Sequence, residues 1–513
     1  MLESLQYLLS GFAVAATPEN LLYCLLGAIV GTLVGIMPGL GPIGGIALLI
    51  PITFGLNPTS ALIMLAGIYY GAMYGGSTTS ILINVPGETA TVITCIDGYK
   101  MAQQGRAGPA LAVAAIGSFI AGTIAICGMV LLAPPLAQAA LAFGPPEFAS
   151  LMVFGFVVLS NVTGKSLVKA LMMAIVGLIL GTIGLDPVSG TERFTFGSSY
   201  LLGGIVFVAV AIGVFGLGEV LVNAAKAPQQ LEQQVIVPRF RDLYPSLEDL
   251  RRAIGAILRG AGIGFGMGLV PGPAPVIATY ASYTVEKRVS KRPEEFGQGA
   301  IEGVAGPEAA NNSATQSAFI PLFVLGIPFG PVTAILLGAL LIHGVTPGPL
   351  LITDHPELFW AVIASMYIGN FILLLLNLPF VPLFANMLRV PKKVLLPLVM
   401  LFCFVGMYSV HNSVPDIWVM LGCGALGYIL RGWAYEGAPL LLGLVLGPML
   451  EVAFRQSLMI SHGDFAIFVT RPVSVVLLLA TAVFLVLPLL KLGFRALRGR
   501  RAAGAAAAEG EHR

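Results

Sequence analysis

Hydroxyl and amide side chains stand in otherwise apolar parts of this chain, and they are the first residues that could do chemistry. One run is Ser77-Thr78-Thr79-Ser80 with Asn84 after it, and the other is Asn311-Asn312-Ser313-Ala314-Thr315-Gln316-Ser317. Uncharged oxygens at membrane depth can bind a carboxylate or a small cation, although they can also join packed helices by hydrogen bonds. We favour binding. The candidate substrate- and ion-binding residues are Gly39, Gly41, Ser77, Thr78, Thr79, Ser80, Asn84, Gly272, Asn311, Asn312, Ser313 and Thr315.

Two carboxylates lie beside these runs. Glu88 follows the first run and Glu308 precedes the second. An ionisable residue inside a membrane segment is a candidate proton or cation site, because burying a charge there is costly. A structural role fits the sequence equally well for both residues. By contrast, Asp97 lies near Lys100 and Glu302 near basic residues, so we interpret these two as loop charges.

Gly and Pro interrupt the chain around the same places. Pro38-Gly39 lies in a segment, Gly31 to Pro42, that is matched at the same spacing by Gly264 to Pro275 around Pro271-Gly272. Proline lacks a backbone N–H and glycine favours other dihedral angles, so both corners should break their helices. We expect two further breaks, at the hydroxyl run from Gly75 to Ser80 and at Asn84 to Gly87. Paired discontinuous helices in two halves indicate a transport site, whereas the alternative is a pair of Gly/Pro-rich packing helices.

The composition excludes a soluble protein. The chain has 513 residues, of which 57% are hydrophobic and 10% charged, against about 25% charged residues in globular proteins. We predict an all-α polytopic membrane protein with about 11–12 transmembrane helices of ~20 residues and re-entrant or discontinuous helical hairpins in two repeats. The predicted divisions are a first half at 1–222, a cytoplasmic linker at 223–252, a second half at 253–494 and a disordered cytoplasmic tail at 495–513.

Basic residues predict the orientation, because Lys and Arg collect in short cytoplasmic loops. They put the C-terminus in the cytoplasm, and they place residues 253–285 in a hairpin that enters and leaves on the cytoplasmic side. If residues 20–55 form the matching hairpin, it opens on the outside. The two repeats would then be inverted, and the N-terminus would be extracytoplasmic.

Other function classes lack their sequence signals. The chain has no HExxH pair, no GxSxG elbow and no Walker-type phosphate loop, so we predict no enzyme and no organic cofactor or metal. A coupling cation, Na⁺ or H⁺, is expected instead, with Na⁺ at the helix breaks. A channel or pore is the alternative to a carrier, but pores more often arise from short oligomerised units with charged rings. A carrier of a non-carboxylate solute also stays open.

The segment PGLGPIGGIALLIPITFGLNPTSALIMLAGIYYGAMYGGSTTSILINVPGE, with GLVPGPAP and GPEAANNSATQSAFIPLFVLGIPFGP in the second half, resembles the large membrane subunit of the tripartite tricarboxylate transporters. The likeness extends over roughly residues 21–494. It implies a bacterial inner-membrane carrier of citrate or other organic acids. It also implies a small four-helix membrane subunit and a periplasmic solute-binding protein as partners, and symport with Na⁺ or H⁺. The residues that contact substrate do not follow from the resemblance.

Overall fold

The computed structural model describes residues 2–37, 40–163, 166–225, 243–387, 390 and 392–486. These residues form helices almost throughout, and seven of the helices are long and apolar enough to cross a membrane. Five shorter apolar helices accompany them. The predicted all-α polytopic membrane protein is confirmed. Gly39, most of the linker (226–242) and the whole 495–513 tail lie outside the described residues.

The first half begins with a helix, α1 (Leu2–Ala15), that packs along a helix of the second half, α16 (Pro356–Asn377). A π-helical turn at Ile212–Leu217 joins α9 to α10 into one continuous rod. The bounds are α1 Leu2–Ala15, α2 Pro18–Ile36, α3 Gly41–Leu49, α4 Pro58–Ile83, α5 Val92–Gln103, α6 Ala107–Ala140, α7 Pro145–Thr163, α8 Leu167–Gly181, α9 Phe207–Ala211 and α10 Gly218–Ala225, with 3₁₀ turns at Ile50–Gly55, Thr89–Thr91 and Ser199–Gly203 and two short antiparallel strands, β1 Gly184–Leu185 and β2 Glu192–Arg193.

The first long helix after the linker, α11 (Leu247–Gly268), follows Ser246, whose side chain accepts from the backbone N–H of Asp249 in a capping box. The bounds are α11 Leu247–Gly268, α12 Ala274–Val289, α13 Glu302–Ser317, α14 Pro331–Ile342, α15 Leu351–Asp354, α16 Pro356–Asn377, α17 Val381–Met387, α18 Lys392–His411, α19 Val414–Gly432, α20 Ala438–Ile460, α21 Ile467–Thr470 and α22 Pro472–Val486, with a 3₁₀ turn at Pro293–Glu295 and a π-helical turn at Pro321–Leu325.

Stripes of glycine hold the long helices of each half close together. In the first half, Gly27, Gly31 and Gly35 of α2 lie against the backbone of α4. In the second half, Gly260, Gly264 and Gly268 of α11 lie against the backbone of α13. A methyl group at these positions would meet backbone or side-chain atoms of the facing helix, so the close approach depends on glycine. The repeat predicted from the sequence is therefore also a repeat of helix packing.

Both segments that contain a Pro-Gly corner are interrupted, as predicted, and Pro38 and Gly39 themselves lie outside the described residues. Helix α2 ends at Ile36 and α3 begins at Gly41, while α11 ends at Gly268 and α12 begins at Ala274. The break predicted at Asn84 is also confirmed, since Asn84 ends α4 with a left-handed φ of 55°. The second half has a corresponding break, since Gly326, with a left-handed φ of 71°, follows the π-helical turn at Pro321–Leu325 and α14 begins only at Pro331.

The break predicted at Gly75 to Ser80 is wrong: α4 runs through the hydroxyl run to Ile83. Three of these hydroxyls donate to carbonyls of their own helix, Ser77 to Met73 O (3.1 Å), and Thr79 and Ser80 to Gly76 O (2.9 and 3.0 Å). These bonds satisfy the hydroxyls inside a regular helix. Asn311 to Ser317 is likewise helical and belongs to α13.

Asp97 is not the loop charge that its position near Lys100 indicated. Its side chain is fully buried. One carboxylate oxygen accepts from the backbone N–H groups of Gly297, Gly299 and Ala300 (2.8–2.9 Å), and the other accepts from the Tyr283 hydroxyl (2.9 Å). Asp97 therefore fastens α5 to the connection between α12 and α13.

Candidate functional site

The two halves enclose one cavity of about 400 Å³, which we call the larger cavity. Leu40 to Ile43, after the first Pro-Gly corner, line one part of it, and Gly272 to Val276, after the second corner, line another. Segments that follow the later interruptions, Pro86 to Thr89 and Phe329 to Thr333, also line it. The segments that follow the two corners therefore share one cavity.

Helix N-termini from both halves meet at the larger cavity. Helices α3 and α12 begin there after the corners. The Thr89–Thr91 turn that leads into α5, and helix α14, begin there after the later interruptions. The first N–H groups of a helix have no partner within the helix, and its N-terminus carries roughly half a positive charge. The end at Thr89–Thr91 already holds the Glu88 carboxylate, and the other three make a favourable environment for an added anion.

The two later interruptions have the same backbone design. Glu88 and Gly330 occupy the N-cap positions, with extended φ values of −143° and −149°. In each case the hydroxyl of the threonine three residues later donates a hydrogen bond to the carbonyl oxygen of the N-cap residue. Thr91 donates to Glu88 O and Thr333 to Gly330 O, both at 2.9 Å. They differ at the cap side chain. Glu88 Oε2 accepts from Ala90 N (2.9 Å), whereas Gly330 has no side chain to do so.

Arg431 brings a cationic side chain to the larger cavity from the last turn of α19. It is held by an ion pair with Glu219 of α10, which is buried, and Asn223 also donates to Glu219 (2.8 Å). Guanidinium groups recognise carboxylates through a planar fork of donors. Among the described residues that line the cavity, Arg431 is the one cationic side chain.

Glu308, a residue of α13, lies fully buried against α4 and α5. Its carboxylate accepts from Ser77 Oγ (2.5 Å) and from the hydroxyl of Thr94. No ion pair joins it to a cationic side chain within the described ranges. An isolated carboxylate in such a place is costly unless a proton or a cation accompanies it. The candidate role predicted for Glu308, a proton or cation site, stays a prediction with this geometry in its favour.

The predicted site residues fall into separate groups. Gly41, Gly272 and Glu88 line the larger cavity, and Ser77 and Thr78 line a second, much smaller one. Asn311 Nδ2 donates to Glu88 Oε1 (3.3 Å), and Asn312 Nδ2 donates to Ser118 Oγ (2.7 Å). Each asparagine is thus hydrogen-bonded to a residue that lines a cavity, Glu88 in the larger one and Ser118 in the smaller one. The remaining ones, Thr79, Ser80, Asn84, Ser313 and Thr315, are outside the described linings of both cavities, and Gly39 is outside the described residues.

Comparison with known proteins agrees with this architecture. The model of the tripartite tricarboxylate transporter TctA family matches residues 21–442. The chain belongs to this family. As a member of the TctA family it is a multi-pass membrane subunit of a tricarboxylate transporter, and family membership implies a transporter and not an enzyme.

Three relatives of this TctA-family chain match it over different shares of its length. A protein of Agrobacterium vitis described as an uncharacterized 52.8 kDa protein in the TAR-I ttuC′ 3′ region is 50% identical over 95% of this chain and 97% of its own. A second one from that organism, in the TAR-II ttuC′ 3′ region, is 50% identical over 44% of this chain and 93% of its own. An uncharacterized protein of Methanocaldococcus jannaschii is 26% identical over 43% and 52%. No solved structure matches.

Sequence reasoning missed Arg431 in this TctA-family chain. Its position at the end of an apolar helix is typical of an ordinary flanking charge, and nothing in its neighbours points to a distant cavity. One signal was available. A buried glutamate, Glu219, lies near the end of another apolar segment, α9–α10, and a carboxylate there calls for a cationic partner.

Proposed function

We propose that this chain is the large membrane subunit of a binding-protein-dependent secondary transporter that imports tricarboxylates or related organic acids together with a cation. The observation that carries the proposal is the convergence of four helix N-termini and Arg431 on the larger cavity. Its volume of about 400 Å³ lies within the roughly 300–1,000 Å³ usual for small-molecule sites. Most of its lining is apolar, so the polar groups set the orientation of the acid.

The arrangement offers an elongated acid two different ends. Arg431 can bind one carboxylate through its fork of donors. Backbone N–H groups at the start of α14, where Val332 and Thr333 line the cavity, can bind another. The α14 end is the more open of the two later N-termini, because Gly330 leaves the first turn without a side-chain cap.

A polyanion needs compensation in addition to these groups. Burying several charges at membrane depth is prohibitive unless cations accompany them. Co-transported cations, Na⁺ or H⁺, would also draw on the membrane potential, which contributes about 2.3 kcal/mol for each net positive charge moved inward per 100 mV. Family membership supports a small membrane subunit and a periplasmic solute-binding protein as partners. We place the assembly in the bacterial inner membrane, with the C-terminus of this chain in the cytoplasm.

Uptake in vesicles tests the proposal. The chain would be reconstituted with the small membrane subunit and the solute-binding protein of its own system, and radiolabelled citrate, with a panel of di- and tricarboxylates, would be supplied outside. Inward Na⁺ and pH gradients are imposed independently. We expect accumulation that requires the binding protein and one of the gradients. Electrical conductance that persists without the binding protein would instead identify a pore and overturn the proposal.

Arg431→Gln tests the site itself. Loss of a charge-assisted contact costs on the order of 1.5–3 kcal/mol, so uptake should fall about 10- to 100-fold at subsaturating acid. Because Arg431 also pairs with Glu219, the double variant Arg431→Gln/Glu219→Gln keeps the local charge balanced and should show the same loss. Arg471→Gln is the matched control, since Arg471 pairs with Glu147 away from the cavity lining. Equal uptake by all three variants would contradict the assignment.

A further inference from the structure

A second cavity of about 10 Å³ lies between α4, α6 and α16, and we call it the smaller cavity. It has room for a single water-sized particle. The polar side chains that line it are uncharged and carry oxygen atoms, and the rest of the described lining is Leu111, Ala114 and Ala115. The polar lining residues are Tyr74, Ser77, Thr78, Ser118 and Asn377.

One of these oxygens has no hydrogen-bond partner among the described residues. Asn377 is 4% exposed, and its Nδ2 donates to Leu373 O (3.1 Å) and Thr32 Oγ1 (3.4 Å). Its Oδ1 therefore points the other way, and this buried oxygen accepts no hydrogen bond in the described part of the chain. Thr78, which is 3% exposed, brings a second oxygen to the same cavity. Buried polar atoms without partners are rare in native proteins and call for an explanation.

The carboxyl group of Glu308 lies directly behind this cavity. Ser77 Oγ lines the cavity and donates to Glu308 Oε2 at 2.5 Å. Ser118 Oγ lines it from α6 and is held by Asn312, one helical turn beyond Glu308 on α13. The smaller cavity thus combines neutral oxygen ligands with a carboxylate one hydrogen bond away. Hard cations prefer oxygen ligands, and a carboxylate that binds the ligands strengthens cation binding.

We infer that the smaller cavity is a Na⁺ site, formed by the oxygens of Ser77, Thr78, Ser118 and Asn377 with Glu308 as the compensating charge. This inference deepens the proposed function, on which its role in coupling rests, and it moves the cation away from the helix breaks to which the sequence assigned it. The Na⁺ would neutralise Glu308 through Ser77.

The site is also placed to communicate with the acid. Met73 lines the larger cavity, and its backbone carbonyl accepts from Ser77 Oγ (3.1 Å), which lines the smaller one. Ser77 is one turn of α4 from Met73. A cation that reorients the Ser77 hydroxyl would therefore alter its hydrogen bond to Met73, which lines the larger cavity. Cation and acid can thus be linked through α4 without touching each other.

Binding of ²²Na⁺ to the purified full-length chain in lipid nanodiscs, without any acid present, tests the inference. We expect saturable binding that excess unlabelled Na⁺ displaces and equimolar K⁺ does not. Ser118→Ala, Asn377→Ala and Glu308→Gln should each weaken the binding at least about tenfold. Ser457→Ala is the matched control, since Ser457 is a fully buried serine of α20 that bonds only the carbonyl of Ala453 in its own helix (2.7 Å), and it should bind Na⁺ like the wild type.

A second measurement covers variants that fold poorly. Na⁺, but not K⁺, should raise the melting temperature of the wild-type chain, because a ligand that binds only the folded state stabilises it. Absence of both ²²Na⁺ binding and this shift would show that the cavity holds only water. Equal binding by Ser118→Ala and Ser457→Ala would also overturn the site. Acid uptake driven by a pH gradient without Na⁺ binding refutes the Na⁺ site alone, whereas Na⁺ binding without acid uptake refutes the proposed function alone.

Discussion

The two halves of the chain build the same pair of helix N-termini, but they leave the second of each pair in different states. In the first half Glu88 caps the turn that leads into α5, and its carboxylate accepts from Ala90 N at 2.9 Å. In the second half the equivalent residue is Gly330, and the threonine hydroxyl bonds around it are preserved. One half therefore carries its own carboxylate at a helix N-terminus, and the other half has the same backbone without one.

This difference indicates how a duplicated scaffold can become a binding site for an acid. A carboxylate at a helix N-terminus is stabilised by the free N–H groups and the helix dipole. Glu88 shows in the first half how a carboxylate is held there. If the larger cavity binds an organic acid, one carboxylate of that acid should take the corresponding position at Gly330.

Gly330→Glu would make the second half resemble the first and should have the largest effect. The new carboxylate would occupy the first N–H groups of α14 and repel the incoming acid, so citrate uptake should fall by about 100-fold, given hydrogen bonds to charged groups of 1.5–3 kcal/mol. Gly330→Ala is the control. The φ of −149° suits any residue, and an added Cβ would lie 3.4 Å from Gly272 O, an ordinary contact. Uptake by the alanine variant should stay near the wild-type level, and equal loss in both variants would remove the comparison.

The glycine stripes test whether the two halves are equivalent in packing. At Gly264 an added Cβ would lie 2.8 Å from Ser313 Cβ and overlap the carbonyl of Ala310, and at Gly31 it would lie 2.8 Å from Ile68 Cα. Overpacking of this kind costs on the order of 1–3 kcal/mol, so Gly264→Ala and Gly31→Ala should both lower the melting temperature. Gly262→Ala on the same α11 meets nothing within 4 Å and should not lower it, because alanine favours the helix more than glycine does. If only one of the two variants lowered the melting temperature, the close helix packing would stabilise only that half.

Much of this organisation could be predicted from the sequence because it follows from backbone chemistry. The Pro-Gly corners break their helices since proline donates no N–H, and Ser246 caps α11 through the residue three positions on. The matched spacing of Gly31 to Pro42 and Gly264 to Pro275 predicted a repeat, and glycines of both segments lie against a facing helix. Properties set within a few consecutive residues were therefore predictable.

Properties that depend on distant partners were not predictable. The hydroxyl run stays helical, and its hydroxyls donate to carbonyls of the same helix, an arrangement that composition alone does not distinguish from a break. The buried carboxylate of Asp97 accepts hydrogen bonds from backbone N–H groups some 200 residues away in sequence. Arg431 lines the larger cavity from the end of α19, and it is far in sequence from either corner. Each case was decided by tertiary contacts that leave no local pattern.

The connections between the corner helices and the long helices also differ, and this difference predicts the smallest effect. Residues 50–57 join α3 to α4 without any charged residue, whereas the connection from α12 to α13 contains Glu295, which pairs with Arg252 at 2.5 Å. The Arg252 guanidinium lowers the pKa of Glu295. The pair therefore stabilises the connection at pH values above the ordinary glutamate pKa of about 4.3, and this contribution is lost as the pH falls through the lowered pKa.

Hydrogen exchange of residues 290–301, corrected for the intrinsic rate, should accelerate modestly between pH 6 and pH 3.5, while residues 50–57 should not change. Glu295→Gln should show the fast exchange already at pH 6, and Glu294→Gln, at an exposed neighbouring position, should exchange like the wild type. If Glu294→Gln and Glu295→Gln behave alike, the ion pair contributes nothing to this connection, and the asymmetry between the halves is confined to the cap at Gly330.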